Sequence, residues 1–363
     1  MFASRPSALL LSALLLLTGL LTTHADEDQE IAEFKARAGN ITATAISDDG
    51  QRIFTGEDDG LITLWNVSQT GTSVQNFTGH FPREVFATAL LPDGKRGVSC
   101  GDDNMVRVWD LATGHCLRAM TTGTAIPLVL ACSPDGARGA TGFDNGRIAI
   151  WDLATGRLVA TLPHSASICS LLYSPDGRTL AAGYSDGRVI LWDTAHWSPA
   201  HTLPDAAQAS VGALAFSPDG SLLATGNQNG GGFVWRTADG SLSYSFAGYA
   251  HPEVTPAPPV APVFEGSTIT PDNRSAIEFL CFSRDGSKIF TSIQDAPARF
   301  WAVPSGSFLG TADYFEDYRF YIARYGFTFA TAAVTPRRDY VVTTKENAAE
   351  VWRFDWTPKP PDQ

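Results

Sequence analysis

Short apolar stretches separated by turn residues run along this chain, and positions within each stretch alternate between apolar and small or polar. Val211–Phe216 has the two-residue period of a half-buried strand. Pro218-Asp219-Gly220 then turns the chain: proline presets φ, aspartate caps the turn and glycine accepts a positive φ. Leu222–Thr225 reads as a second strand. A polar turn follows in each copy, such as Asp58-Asp59-Gly60, Asp102-Asp103-Asn104, Asp144-Asn145-Gly146 or Ser185-Asp186-Gly187. A third strand carries a tryptophan, as in Arg147–Asp152. A further turn, Leu111–Gly114 or Leu153–Gly156, leads to a fourth strand such as Arg157–Leu162.

The unit recurs. Trp65, Trp109, Trp151, Trp192, Trp235, Trp301 and Trp352 are spaced by 44, 42, 41, 43, 66 and 51 residues. In six copies the turn glycine precedes its tryptophan by 15 residues; the seventh copy, at Pro336–Asp339, lacks the glycine and is one residue shorter. Four short strands cannot bury both faces alone, but radial stacking of many such sheets buries them. Seven tryptophans predict seven four-stranded antiparallel blades, since the 66-residue interval is too short for two. Ile31–Lys35 reads as an orphan fourth strand, and the last repeat stops near Trp356 after its third. Pairing the two completes the last blade and leaves no open edge. The expected fold is therefore an all-β, seven-bladed β-propeller over residues 30–356, closed by its N-terminal strand. A tail of residues 357–363 follows.

Trp109-Asp110, Trp151-Asp152 and Trp192-Asp193 look like the WD dipeptide, and Gly79-His80 looks like the Gly-His that opens such a repeat. The chain resembles WD-repeat β-propellers over about residues 30 to 356. It departs from their pattern where Trp235, Trp301 and Trp352 precede Arg236, Ala302 and Arg353, and where Pro163-His164 is a partial Gly-His. The resemblance implies that His80, Ser99, Asp103 and Trp109 form a hydrogen-bonded set, which no other repeat offers in full. It also implies a rigid face that binds protein or peptide partners.

Two connections exceed the repeat. From tryptophan to the next turn motif the first four gaps are 27, 25, 24 and 26 residues, the next two 49 and 35. The extra residues fall between a fourth strand and the next first strand, near 249–277 and 313–325. The former holds Pro252, Pro256, Pro258, Pro259, Pro262 and Pro271, a composition that favours extended backbone. The latter holds Tyr314, Phe315, Tyr318, Phe320, Tyr321 and Tyr325 with Arg319 and Arg324. It reads either as packing beneath the proline-rich loop or as an interface, where Tyr and Arg are enriched. The interface reading names Tyr314, Phe315, Tyr318, Arg319 and Tyr321 as binding residues.

Residues 1–25 stand apart. Arg5, the apolar run Ala8–Leu21 and the small residues Thr23 and Ala25 have the layout of a secretory signal, cut before Asp26. The run is shorter than the roughly 20 residues of a spanning helix, so the mature chain is expected to be exported, periplasmic or secreted, with no membrane span. The economical signal points to a bacterial host. Residues 26–29 read as a solvated acidic leader. Net charge is −12, a poor match for phosphate backbones, so no nucleic-acid partner is expected. The five cysteines form no CxxC pair and read mainly as small buried residues of strands.

Catalytic signatures such as HExxH, GxSxG or a phosphate loop are absent. The histidines show no metal-ligand spacing, and most paired acids fall in turns. No catalytic residue, metal or cofactor is expected. The reading is a non-catalytic, exported interaction scaffold. The alternative is an exported propeller hydrolase or lyase with a central site near Arg274, Glu278, Asp317 and Arg324.

Overall fold

The computed structural model describes residues 30–37, 39–68, 73–204, 209–246, 276–293, 296–312, 333–334, 340–345, 348–353 and 356–358. Among the described residues the chain forms seven four-stranded antiparallel sheets, each a blade of a seven-bladed propeller. Strand β1 (Glu30–Lys35) comes first. The first blade contains β2 (Ile41–Ile46), β3 (Arg52–Glu57), β4 (Ile62–Asn66) and β5 (Ser73–Phe77). The second contains β6 (Val85–Leu90), β7 (Arg96–Gly101), β8 (Met105–Asp110) and β9 (Cys116–Thr121). The third has β10 (Pro127–Cys132), β11 (Arg138–Phe143), β12 (Ile148–Asp152) and β13 (Arg157–Leu162). The fourth has β14 (Ile168–Tyr173), β15 (Thr179–Tyr184), β16 (Val189–Asp193) and β17 (Ser198–Leu203). The fifth has β18 (Val211–Phe216), β19 (Leu222–Asn227), β20 (Gly232–Arg236) and β21 (Leu242–Phe246). The sixth has β22 (Ile277–Phe282), β23 (Lys288–Ile293), β24 (Ala296–Ala302) and β25 (Phe308–Ala312). The seventh is ordered β1-β28-β27-β26, from β26 (Ala333–Val334), β27 (Tyr340–Lys345) and β28 (Ala348–Arg353).

The N-terminal strand thus closes the ring. Ala32, Glu33, Phe34 and Lys35 pair with Val351, Glu350, Ala349 and Ala348. The seventh blade's one-residue shortening shows in its register: Trp352 pairs with Val341, eleven residues before it, whereas Trp65 pairs with Ile53, twelve before it.

One packing rule joins the blades. At six junctions an apolar residue on the outermost strand meets the tryptophan of the next blade. Phe77 meets Trp109 at 5.4 Å between ring centroids, and Phe246 meets Trp301 at 5.1 Å. Met120, Leu162 and Leu203 share apolar clusters with Trp151, Trp192 and Trp235. Phe34 on β1 plays this part for Trp65 at 5.5 Å, so the closing strand seals the last blade against the first.

In six blades the inner ladder skips one residue: Thr42, Phe86, Leu128, Cys169, Gly212 or Glu278. Such bulges sharpen the strand twist. A second bulge lies opposite the tryptophan on the outermost strand, and it turns Val74, Leu117 and Val159 out to solvent. All five cysteines are free thiols. Cys100, Cys169 and Cys281 are buried, and burial pushes Cys132 and Cys169 up to about 12. Cys116 departs from the expected burial because it begins an outermost strand. No described helix is long and apolar enough to cross a membrane.

Candidate functional site

Antiparallel order sorts the connections onto two faces. Turns between first and second strands, and between third and fourth, lie on one face. Turns between second and third strands share the other face with the blade-joining segments, and we call this the loop face.

The acids of the opposite face are occupied by the backbone. Asp49, Asp135, Asp176, Asp219 and Asp285 each accept a hydrogen bond from the serine two residues before, at 2.5 to 2.7 Å. Each also accepts the backbone N–H two residues on. The serine hydroxyl is the main reason these carboxyls sit below their ordinary value, Asp285 at about 2. In the second blade Leu91 replaces the serine, and Arg96 holds Asp93 instead, at 2.6 Å. These aspartates make turns.

On the loop face the second blade brings His80, Ser99, Asp103 and Trp109 together. His80 Nε2 lies 2.7 Å from Ser99 Oγ, and the Trp109 indole N–H donates to the same oxygen at 2.8 Å. His80 Nδ1 lies 2.8 Å from Asp103 Oδ1, while Arg107 donates to Asp103 Oδ2. The tautomer with its proton on Nδ1 donates to Asp103 and accepts from the serine hydroxyl, and Arg107, 2.9 Å from Nδ1, then directs its N–H to Asp103. Burial lowers His80 more than Asp103 raises it, so the ring is neutral at pH 7. Burial alone would raise Asp103, but the hydrogen bonds from His80 and Arg107 and the guanidinium charge outweigh it and hold the carboxyl down. Gly101 is what makes room: a Cβ there would lie 2.4 Å from the Glu84 carbonyl oxygen and 3.2 Å from His80 Nδ1.

The position held by Gly101, eight residues before the tryptophan, is filled differently elsewhere. The first blade has Glu57, fully buried, whose Oε1 accepts from Thr63 Oγ1 at 3.2 Å. The third has Phe143 and the fourth Tyr184, with His164 stacked at 3.9 Å and bonded through Nε2 to Asp186. The fifth has Asn227, which donates to the Ala209 carbonyl. Blade cores are alike while this outer plug varies.

Above the His80 network the joining segment exposes Phe81, at 62%, and Arg83, which reaches Asp102 at 3.4 Å. This segment rests on the first blade's turn at Gly60, where a Cβ would lie 2.4 Å from the Arg83 carbonyl oxygen and φ is +87°.

The remaining expected residues divide by blade. Trp65, Trp151, Trp235 and Trp301 each donate an indole N–H to the threonine ten residues before, at 2.8 to 3.2 Å. Trp192 has Ala182 at that place and no acceptor. Trp352 is placed by its backbone register in β28. The proposed binding residues Tyr314, Phe315, Tyr318, Arg319 and Tyr321 lie outside the described residues, as do the leader, the proline-rich segment, Arg274, Asp317 and Arg324. Glu278 is buried on β22. Sequence reading missed Phe34, Glu57 and Phe81. The signal for Glu57 was a carboxyl on the same strand parity as Ile53 and Thr55, which face inward. That for Phe81 was a bulky ring in a loop beside the one complete Gly-His.

Comparison with known families agrees with this geometry. The WD domain, G-beta repeat, matches residues 28–66, 71–110, 156–193 and 197–236. Its first match reaches into β1, and the others end on the third strand of the second, fourth and fifth blades. WD repeats generally mediate protein–protein interaction. No curated protein matches the chain.

Proposed function

We propose that this chain is a non-catalytic interaction scaffold, exported, that holds a protein or peptide partner on its loop face. One observation carries the reading: Phe81 and Arg83 stand in solvent on a segment fixed below by the His80 network and against Gly60. Aromatic and arginine side chains dominate interface energetics, and a segment already ordered loses little entropy on binding. The WD repeats that carry this segment support the same reading. The proposal extends to Tyr314, Phe315, Tyr318, Arg319 and Tyr321, in the chain joining β25 to β26, a blade-joining stretch like the one that bears Phe81. Its exported part rests on the signal-like residues 1–25, and cleavage before Asp26 is the expected product.

Affinity purification of the full chain from its native extract tests the reading. Phe81→Ala with Arg83→Ala is expected to lower recovery of a co-purifying protein at least tenfold and to leave Tm within about 2 °C, because both side chains are largely exposed. Equal recovery of every co-purifying protein by the variant and the native chain overturns it. Protein recovered from the cytosol with residues 1–25 intact overturns the exported part.

A further inference from the structure

The seam that closes the ring contains a carboxyl with no evident part in partner binding. Glu57 ends β3 on the same side of the first blade as Thr55 and Trp65, the side on which Phe34 of β1 packs. It is fully buried. Oε1 accepts from Thr63, and Oε2 has no hydrogen-bond partner. The chain of bonds behind it is otherwise complete: the Trp65 indole donates to Thr55, whose hydroxyl donates to the Thr63 carbonyl.

The charged groups around it are unevenly matched. Asp58 and Asp59 follow in the same turn, and Arg37, in the connection from β1, is the cation acting on it. Asp58 is engaged by the backbone and side chain of Asn40, and Asp59 by the N–H of Leu61. On β1, Lys35 and Glu33 pair with each other at 3.1 Å in solvent. The last blade contributes apolar Ala349 and Val351 to the cluster around Phe34 and Trp65. An ionised carboxylate here is buried with one neutral donor, and the charge of Arg37 is set against two neighbouring acids; a neutral carboxyl avoids that cost.

We propose that Glu57 is a protonation latch on ring closure: neutral, it lets β1 seal the last blade against the first; ionised, it loosens that seam. The direction of titration agrees. Burial raises this carboxyl most, Asp59 and Asp58 add to it, Thr63 and Arg37 oppose, and the result is about 7 against an ordinary 4.5. In the sealed state the proton is held up to neutral pH, whereas an opened seam releases it near 4.5. Opening therefore becomes easier as pH rises from 4.5 to 7, is unaffected below that range, and levels off above it.

Hydrogen exchange of the full chain at pH 5 and pH 8, corrected for intrinsic exchange rates, tests this. Opening of β1 and β28 is expected to rise on the order of 50- to 100-fold at pH 8, with little change in β11 and β15. Glu57→Gln is expected to abolish the rise. The same rise in E57Q, or none in the native chain, overturns the proposal. Carboxyl NMR of the native protein gives a reading free of any folding defect in the variant: titration of Glu57 near 7 supports the latch, and titration near 4.5 refutes it.

Discussion

Eight residues before its tryptophan the second blade has Gly101 and takes His80 from the preceding joining segment; the first blade has Glu57, on which the preceding segment acts through the charge of Arg37. Both plug the loop-face end of the blade next to a buried tryptophan. In the second blade every member of the plug has a partner: indole, serine, imidazole, carboxylate and guanidinium form one unbroken chain. In the first, the chain stops at a carboxylate oxygen with no donor. A satisfied plug fixes what lies above it, and above this one lies the Phe81 segment. An unsatisfied plug responds to protons, and this one lies in the seam between the chain's two ends. The two blades show how one repeat position can serve either rigidity or response, depending on whether its polar atoms are paired.

The largest expected effect separates the seam from an ordinary blade junction. Phe34 and Phe77 are both fully buried against the next tryptophan. Replacing either with alanine should cost about 3–5 kcal/mol in urea unfolding. Exchange should distinguish them: Phe34→Ala is expected to release the amides of β1, and Phe77→Ala to leave them protected. If β1 stays protected in Phe34→Ala, that strand is held by its backbone ladder rather than by packing.

Next in size is the plug of the second blade. His80→Ala leaves Ser99 without its imidazole partner and Asp103 with only Arg107 and the Met105 N–H, an expected loss of about 2–3 kcal/mol. In the first blade the sign reverses. With Glu57 raised from 4.5 to about 7, linkage makes the native chain less stable than E57Q by about 3 kcal/mol at pH 8, a difference that falls to about 1 kcal/mol at pH 5 and vanishes below about pH 4. Urea midpoints for both variants at pH 5 and 8 check the pair. A parallel pH response in the two would remove the contrast between them.

Much of the scaffold was legible because its signals are local. An aspartate and a glycine with serine, proline or both ahead of them specify a turn, and six copies at fixed spacing ahead of six tryptophans specify blades. Ring closure was legible by default, as Ile31–Lys35 had no partner within its own repeat. Glu57 was not, because it adjoins Asp58 and Asp59 and reads as one more solvated turn acid. It lies buried on the side of the first blade that Phe34 of β1 covers, a placement that only the tertiary fold reveals. Phe81 was passed over for the aromatic stretch at 313–325, since composition reveals clusters more readily than single exposed rings. The complete set around His80 was named only through resemblance, as no local pattern links a loop histidine to a serine nineteen residues on.

The smallest effect concerns the fourth blade, which extends the contrast to a third kind of plug. Five tryptophans find a hydroxyl ten residues earlier, at Thr55, Ser99, Thr141, Thr225 and Thr291. Trp192 finds Ala182, and the Tyr184 hydroxyl lies close without hydrogen-bond geometry. A buried N–H without an acceptor is a standing cost, so Ala182→Ser should stabilise the chain by about 1 kcal/mol. Ser99 shows that this backbone position admits a serine bonded to the indole. The opposing effect is packing: Ala182 is fully buried with Tyr184 and Trp192 in one cluster, and an added oxygen needs space. Urea unfolding decides between them. A gain means that the indole lacked only an acceptor. A loss means that Tyr184 and the stacked His164 already fill that space, so that the fourth blade is plugged by volume where the second is plugged by hydrogen bonds.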